Sequence, residues 1–177
     1  MIFISAGHHL KDPGAVSGSY IERDLAIELR NLVVANLKKL NAPYITDNDS
    51  ETLGQYLARI KPGNGSVVLE LHWNAAMSLV ASGTEVLIAD SHNQISKDLA
   101  NEFASGISNI LQIKNRGVKT ERESARGRLA FVREAGATCL IEMCFISNKT
   151  DMANYQRSKC LIATFIAKTL IKYEAKI

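Results

Sequence analysis

The chain reads as an α/β fold, a mostly parallel twisted sheet of about five or six strands with helices on both faces. Three observations predict this. Strand-length apolar runs alternate with helical patterns along the whole length. Residues 66–71 are read as an uninterrupted apolar run, the pattern of a central strand covered on both faces. Residues 21–40 carry Leu25, Leu29, Leu32, Val33, Leu37 and Leu40 at the three-to-four spacing of one buried helical face.

Taken in order, residues 2–5 form a short apolar strand, followed by a loop containing Gly and Pro and by the helix at 21–40. A second strand is expected at 43–46. A short helix follows at 52–60, stopped by Lys61-Pro62-Gly63. The strand at 66–71 comes next, then another at 84–89 and an amphipathic helix at 94–111. Residues 114–128 are rich in charge and glycine and read as a surface loop. The last strand is expected at 138–143. Asn148, followed by Asp151, has the pattern of a capped helix start. Beyond it Leu161, Ile162, Phe165, Ile166 and Leu170 mark an apolar face.

Composition narrows the class. With 177 residues and 46% hydrophobic content, the chain is long enough for one full core and short for two. No linker, repeat or low-complexity tract interrupts it, so residues 1–177 are expected to form a single domain. A net charge of +3 is too mild to argue for nucleic acid. No apolar run approaches a membrane span, and Met1-Ile2-Phe3-Ile4-Ser5 lacks the basic start and longer apolar stretch of a signal peptide. Cys139, Cys144 and Cys160 are odd in number and lack Cys-x-x-Cys spacing, so they read as reduced packing residues.

Three expected strands carry acid/base or metal-binding residues near their ends. His8 follows Ser5-Ala6-Gly7 after the first strand, His72 follows the third strand and precedes Trp73-Asn74, and Glu142 lies in the last. In an open parallel sheet the carboxyl ends of the strands share one edge, where sites form. Glu22, at the start of the first helix, completes a His/Glu/His set, the ligand mixture of a catalytic zinc with a position left for water. Each residue taken singly has an ordinary structural reading. His8 can be a loop residue and His72 a hydrogen-bonded core histidine. Glu22 suits a helix N-terminus in any case, and Glu142 can pair with an arginine between Arg116 and Arg133. Their joint placement on one edge favours a zinc hydrolase.

The same residues sit in longer motifs. Ala6-Gly7-His8-His9-Leu10-Lys11-Asp12-Pro13-Gly14-Ala15 resembles the opening signature of the zinc-dependent N-acetylmuramoyl-L-alanine amidases. Glu22 falls where that family places its glutamate ligand. Leu71-His72-Trp73-Asn74-Ala75 resembles its second histidine motif. Arg116-Gly117-Val118-Lys119 and Leu129-Ala130-Phe131-Val132-Arg133 resemble the stretch leading to the catalytic strand. Ile141-Glu142-Met143-Cys144-Phe145-Ile146-Ser147-Asn148 resembles the catalytic-glutamate motif. The likeness covers nearly the whole chain.

It implies that residues 1–177 are a single catalytic domain with no separate cell-wall-binding domain, and that one Zn²⁺ per chain is held by His8, Glu22 and His72. Glu142 would serve as acid/base in cutting the amide between the lactyl group of N-acetylmuramic acid and the L-alanine of the peptidoglycan stem peptide. Asn74 and Arg128 are candidate substrate contacts. The expected partner is peptidoglycan, with no nucleic acid and no membrane, and the expected state is a monomer. Two departures stand out. Ser5 occupies a position that is usually acidic, and His9 one that is usually glycine. The first puts support of the metal ligands in question. The second could crowd the metal or contact substrate. The connection between Asn74 and Gly83 is too short for the inserted helix that blocks some regulated members, so an open site is expected. Alternatives are a zinc peptidase or deacetylase acting on another cell-wall amide, and a non-catalytic wall-binding module. The expected place of work is the cell wall, after synthesis in the cytoplasm. A phage or prophage lytic enzyme released through a membrane pore fits, as does a chain whose leader has been removed.

Overall fold

The computed structural model describes residues 1–124 and 127–177. In chain order the strands are β1 (Ile2–Ala6), β2 (Val16–Ser17), β3 (Tyr20–Ile21), β4 (Tyr44–Thr46), β5 (Val67–Asn74), β6 (Thr84–Ile88), β7 (Asn115–Thr120) and β8 (Ala137–Phe145). The helices are α1 (Glu22–Lys39), α2 (Leu53–Arg59), α3 (Gln94–Leu111) and α4 (Lys149–Glu174). Six strands form one sheet in the order β4-β1-β5-β8-β6-β7, and β2 with β3 makes a small hairpin. The sheet is parallel except for β6, which runs antiparallel to β8.

Helices α1, α3 and α4 cover one face. There Leu25, Leu29, Val33 and Leu37 of α1 meet Ile2, Ile4, Leu69 and Leu71. Burying each such aliphatic contributes about 1.5–3 kcal/mol, so the alternation of side chains along β1 and β5 is strongly enforced. Leu40 of the expected stripe is instead 47% exposed at the helix end. In α4, Ile162, Ile166 and Leu170 are buried, whereas Leu161 is 59% exposed. The opposite face carries a smaller cluster of Phe3, Tyr56, Ile60, Val68, Phe131 and Leu140, covered by α2 and a short 3₁₀ turn at Phe131–Arg133. This thinner cover leaves the site end of that face open.

Several expectations shift. β5 continues to Asn74, so His72 lies within the strand rather than after it, and Trp73 points into the core. Residues 66–71 are not continuously apolar, because Glu70 sits buried among them. Within the expected loop at 114–128 the chain forms β7, a polar edge strand, and a 3₁₀ turn at Glu121–Glu123. Residues 125 and 126 of that loop lie outside the described part. Asn148 caps α4 as expected, accepting from the backbone N–H groups of Thr150 and Asp151. Asp151 does more than complement the helix start: it is buried and accepts from Ser82 Oγ, Gly83 N and Phe145 N, tying the 75–83 loop to the end of β8. That loop contains no helix. All three cysteines are free, and Cys160 is exposed rather than packed. Among the described residues no helix is long and apolar enough to cross a membrane.

Candidate metal centre and active site

β1 hands the chain to Gly7, whose N–H still pairs with Leu71 O at 2.8 Å. The sharp turn then falls on His8 itself, at φ 69°, a conformation that costs a non-glycine residue on the order of 1 kcal/mol or more. Gly7 is needed for a different reason than chain reversal. A Cβ there would stand 2.4 Å from the His72 ring. Gly14, at φ 63°, is needed on both counts, since a Cβ would lie 2.5 Å from His8 Nε2 and 2.7 Å from Glu22 Oε2. The two glycines thus leave space for the two imidazoles.

Glu22 starts α1 and is fully buried. The N–H of Ala15 donates to its Oε2 at 2.9 Å and the N–H of Trp73 to its Oε1 at 3.1 Å. His72 Nδ1 lies 3.0 Å from Oε1. His8 Nε2 lies 3.0 Å from Oε2, yet it is buried and makes no aligned hydrogen bond. Such an orphaned nitrogen needs a partner. One ligand atom from each of His8, Glu22 and His72 falls within 4.8 Å of the others. Two imidazoles and a carboxylate at this spacing fit a divalent metal of the zinc type. The structure therefore brings together three of the four residues expected at the edge, drawn from the loop after β1, from α1 and from β5.

The fourth, Glu142, is buried on β8 and directly in register with His72 on β5. Its other neighbour in register is Glu85 on β6. Arg116 Nε and Lys119 Nζ lie 2.6 and 2.7 Å from Glu85 Oε2, and Arg133 pairs with Glu121. Arg116, Lys119 and Arg133 are thus engaged by carboxylates other than Glu142. Asn74 is half-buried at the end of β5, and Arg128 is exposed. His9 stands outside the ligand group. Its Nδ1 accepts from Lys11 N, and its side chain lines a cavity of ≈ 220 Å³ beside the centre, walled also by Ser5, Tyr56, Glu70 and Phe131. Sequence reasoning missed Glu70. It lies two residues before His72 on the same strand, hence on the same face, and its Oε2 is 3.3 Å from His72 Nε2. A charged residue inside an apolar strand was the signal available.

A family model described as N-acetylmuramoyl-L-alanine amidase matches residues 2–172. The chain belongs to this family. The amidase shares 31% identity and a TM-score of 0.77 with a Neisseria meningitidis protein assigned to the same class, over 97% of this chain and 93% of that one. It is 29% identical over 154 residues to YqiI, an uncharacterized protein of Bacillus subtilis (strain 168), covering 85% of this chain and 72% of YqiI. Cwp6 from Clostridium difficile shares the fold at a TM-score of 0.81 and 24% identity, over 97% of this chain but 29% of Cwp6.

The electrostatics of the amidase's centre bear on how it would take up a metal. Burial works against charge on His72, but the carboxylates of Glu22 and Glu70 prevail and its pKa is raised to about 10. His8 is raised too, burial again opposing and Glu22 prevailing. Burial works against charge on Glu22 too, but the two histidines facing its oxygens prevail and hold it far below the ordinary carboxylate range. His72 therefore keeps its proton at neutral pH, and a metal held by this residue would have to displace it. Below a pH of about 10, affinity for zinc is expected to rise by about tenfold per pH unit for each proton released. Calorimetry in buffers of different ionisation enthalpy measures this. Release of at least one proton per metal is expected, and a pH-independent affinity would exclude His72 as a ligand.

Proposed function

We propose that the amidase uses one Zn²⁺, held by His8, Glu22 and His72, to hydrolyse the bond between the lactyl carbonyl of N-acetylmuramic acid and the L-alanine nitrogen of the stem peptide. The observation that carries this reading is the buried His8–Glu22–His72 group with Glu142 one strand away, in register with His72. When bound, the metal would polarise the scissile carbonyl and make a water acidic enough to attack near neutral pH. The residues do the rest. Ala15 N and Trp73 N fix both oxygens of Glu22, so the carboxylate is presented in one orientation. Glu142 takes the proton from the attacking water at its carboxylate and returns it to the departing nitrogen. Such relay by a positioned acid/base is worth roughly 10²–10⁴-fold. The cavity beside the centre, and the loop at 75–83 with no helix over the site, leave room for a polymeric substrate. Asn74 and Arg128 are proposed to contact it.

In this reading residues 1–177 act as one catalytic domain, as a monomer, on the peptidoglycan of the cell wall. The test is metal content of the purified protein together with peptidoglycan digestion, with and without chelator. Zinc near one per chain and chelator-sensitive appearance of L-alanine amino termini, with intact glycan strands, are the expected results. New amino termini on other stem residues would mark a peptidase, and released acetate a deacetylase. Binding to the wall without cleavage would mark a module that only attaches.

A further inference from the structure

His72 is held between two carboxylates. Its Nδ1 faces Glu22 in the ligand group at 3.0 Å, and its Nε2 faces Glu70 Oε2 at 3.3 Å. We propose that Glu70 is the positioning residue of the metal centre: it accepts the Nε2–H of His72 and so leaves the Nδ1 lone pair for the metal. This rests on the zinc reading above.

The geometry makes the assignment specific. Glu70 and His72 alternate with Leu69, Leu71 and Trp73, which are fully buried in the main core, so β5 cannot rotate to present them differently. A half-turn of the imidazole about its Cβ–Cγ bond would exchange nitrogens for carbons and lose both contacts. Glu70 is only 4% exposed, and a carboxylate so buried is costly unless a donor faces it. His8 has the complementary arrangement. Its Nδ1 lies 2.8 Å from Asp12 Oδ2, leaving Nε2 toward Glu22. The two histidines thus offer opposite nitrogens, each with a carboxylate behind it. The supports differ in kind, because the Asp12 side chain is 50% exposed and that of Glu70 is 6%. An exposed pair is screened and contributes little, so the dependence on Glu70 should be the greater.

The position beside Glu70 explains how the site manages without an acid on β1. Ser5 is in register with Glu70 on the neighbouring strand, so both side chains point to the same face. Ser5 is 2% exposed, and its Oγ has no hydrogen-bond partner among the described residues. The carboxylate behind His72 comes from β5 instead, and a carboxylate at position 5 would enter the same space.

The test compares the parent with Glu70→Gln, Glu70→Ser and the exchange Ser5→Asp/Glu70→Ser. Zinc affinity is read by chelator competition, and ligand geometry by the visible spectrum of the cobalt-substituted protein. Melting of the metal-free form checks folding. Glu70→Gln is expected to stay folded, bind zinc about 10- to 100-fold more weakly and alter the cobalt bands, as loss of an outer partner of a ligating histidine does. Glu70→Ser carries the same readout should Gln not fold. The exchange is expected to bind more tightly than Glu70→Ser alone. Zinc affinity within twofold of the parent in both single variants, with unchanged cobalt bands, would overturn the assignment. A parent that binds no zinc would instead overturn the reading on which it rests.

Discussion

Glu142→Ala is expected to bind about one zinc per chain and to lose about 10²–10⁴-fold in hydrolysis. The two halves of this result follow from where Glu142 lies. The ligand group is complete without it, since His8, Glu22 and His72 alone bring three ligand atoms within 4.8 Å. Glu142 reaches the same place from β8, as the register partner of His72. Removing its carboxylate therefore takes away a proton carrier and spares the metal. Zinc analysis on the purified variant, and the rate at which L-alanine amino termini appear, measure the two halves separately. Turnover at the parent's rate would remove Glu142 from the mechanism, and loss of zinc would make it a ligand.

His72→Ala is expected to fail differently, losing both the metal and a share of the fold. Glu22 is fully buried and Glu70 4% exposed, and each faces a nitrogen of the same imidazole. Deleting that ring leaves two buried carboxylates without it, a change that costs on the order of 3–5 kcal/mol where one partner of a buried pair is removed. Zinc at about a thousand times its dissociation constant should stabilise the parent by about 4 kcal/mol, by mass action on the folded state, and the variant by nothing measurable. Urea unfolding with and without zinc reads both effects. A variant that still gained stability from zinc would exclude His72 from the centre.

Much of the architecture was legible because it is written locally. The helix at Gln94–Leu111 falls at its expected bounds, where a capping Asn93 precedes a run whose Leu99, Phe103, Ile107 and Leu111 share one face. Asn148 is found as the cap of α4 for the same reason. β7 was missed because an edge strand such as Asn115–Thr120, with Arg116 and Lys119 turned to Glu85, carries no apolar alternation. The antiparallel course of β6 also went unread. Its signal was the nine-residue stretch at 75–83, too short for the crossover that a parallel neighbour requires.

At the centre the division is sharper. Sequence alone determined which residue types meet: two histidines and a glutamate of the zinc class, with a second glutamate on the last strand. Strand and helix periods place them at one sheet edge, and residue chemistry is the basis of the roles proposed for them. Tertiary structure alone decided how they meet. The nitrogens that face Glu22 are Nε2 of His8 and Nδ1 of His72, Ser5 of β1 falls opposite Glu70 of β5, and Gly7 is required by a ring 65 residues away. Those facts depend on strand register and on approach between distant segments. Long-range packing sets both, and no local pattern of residues encodes them.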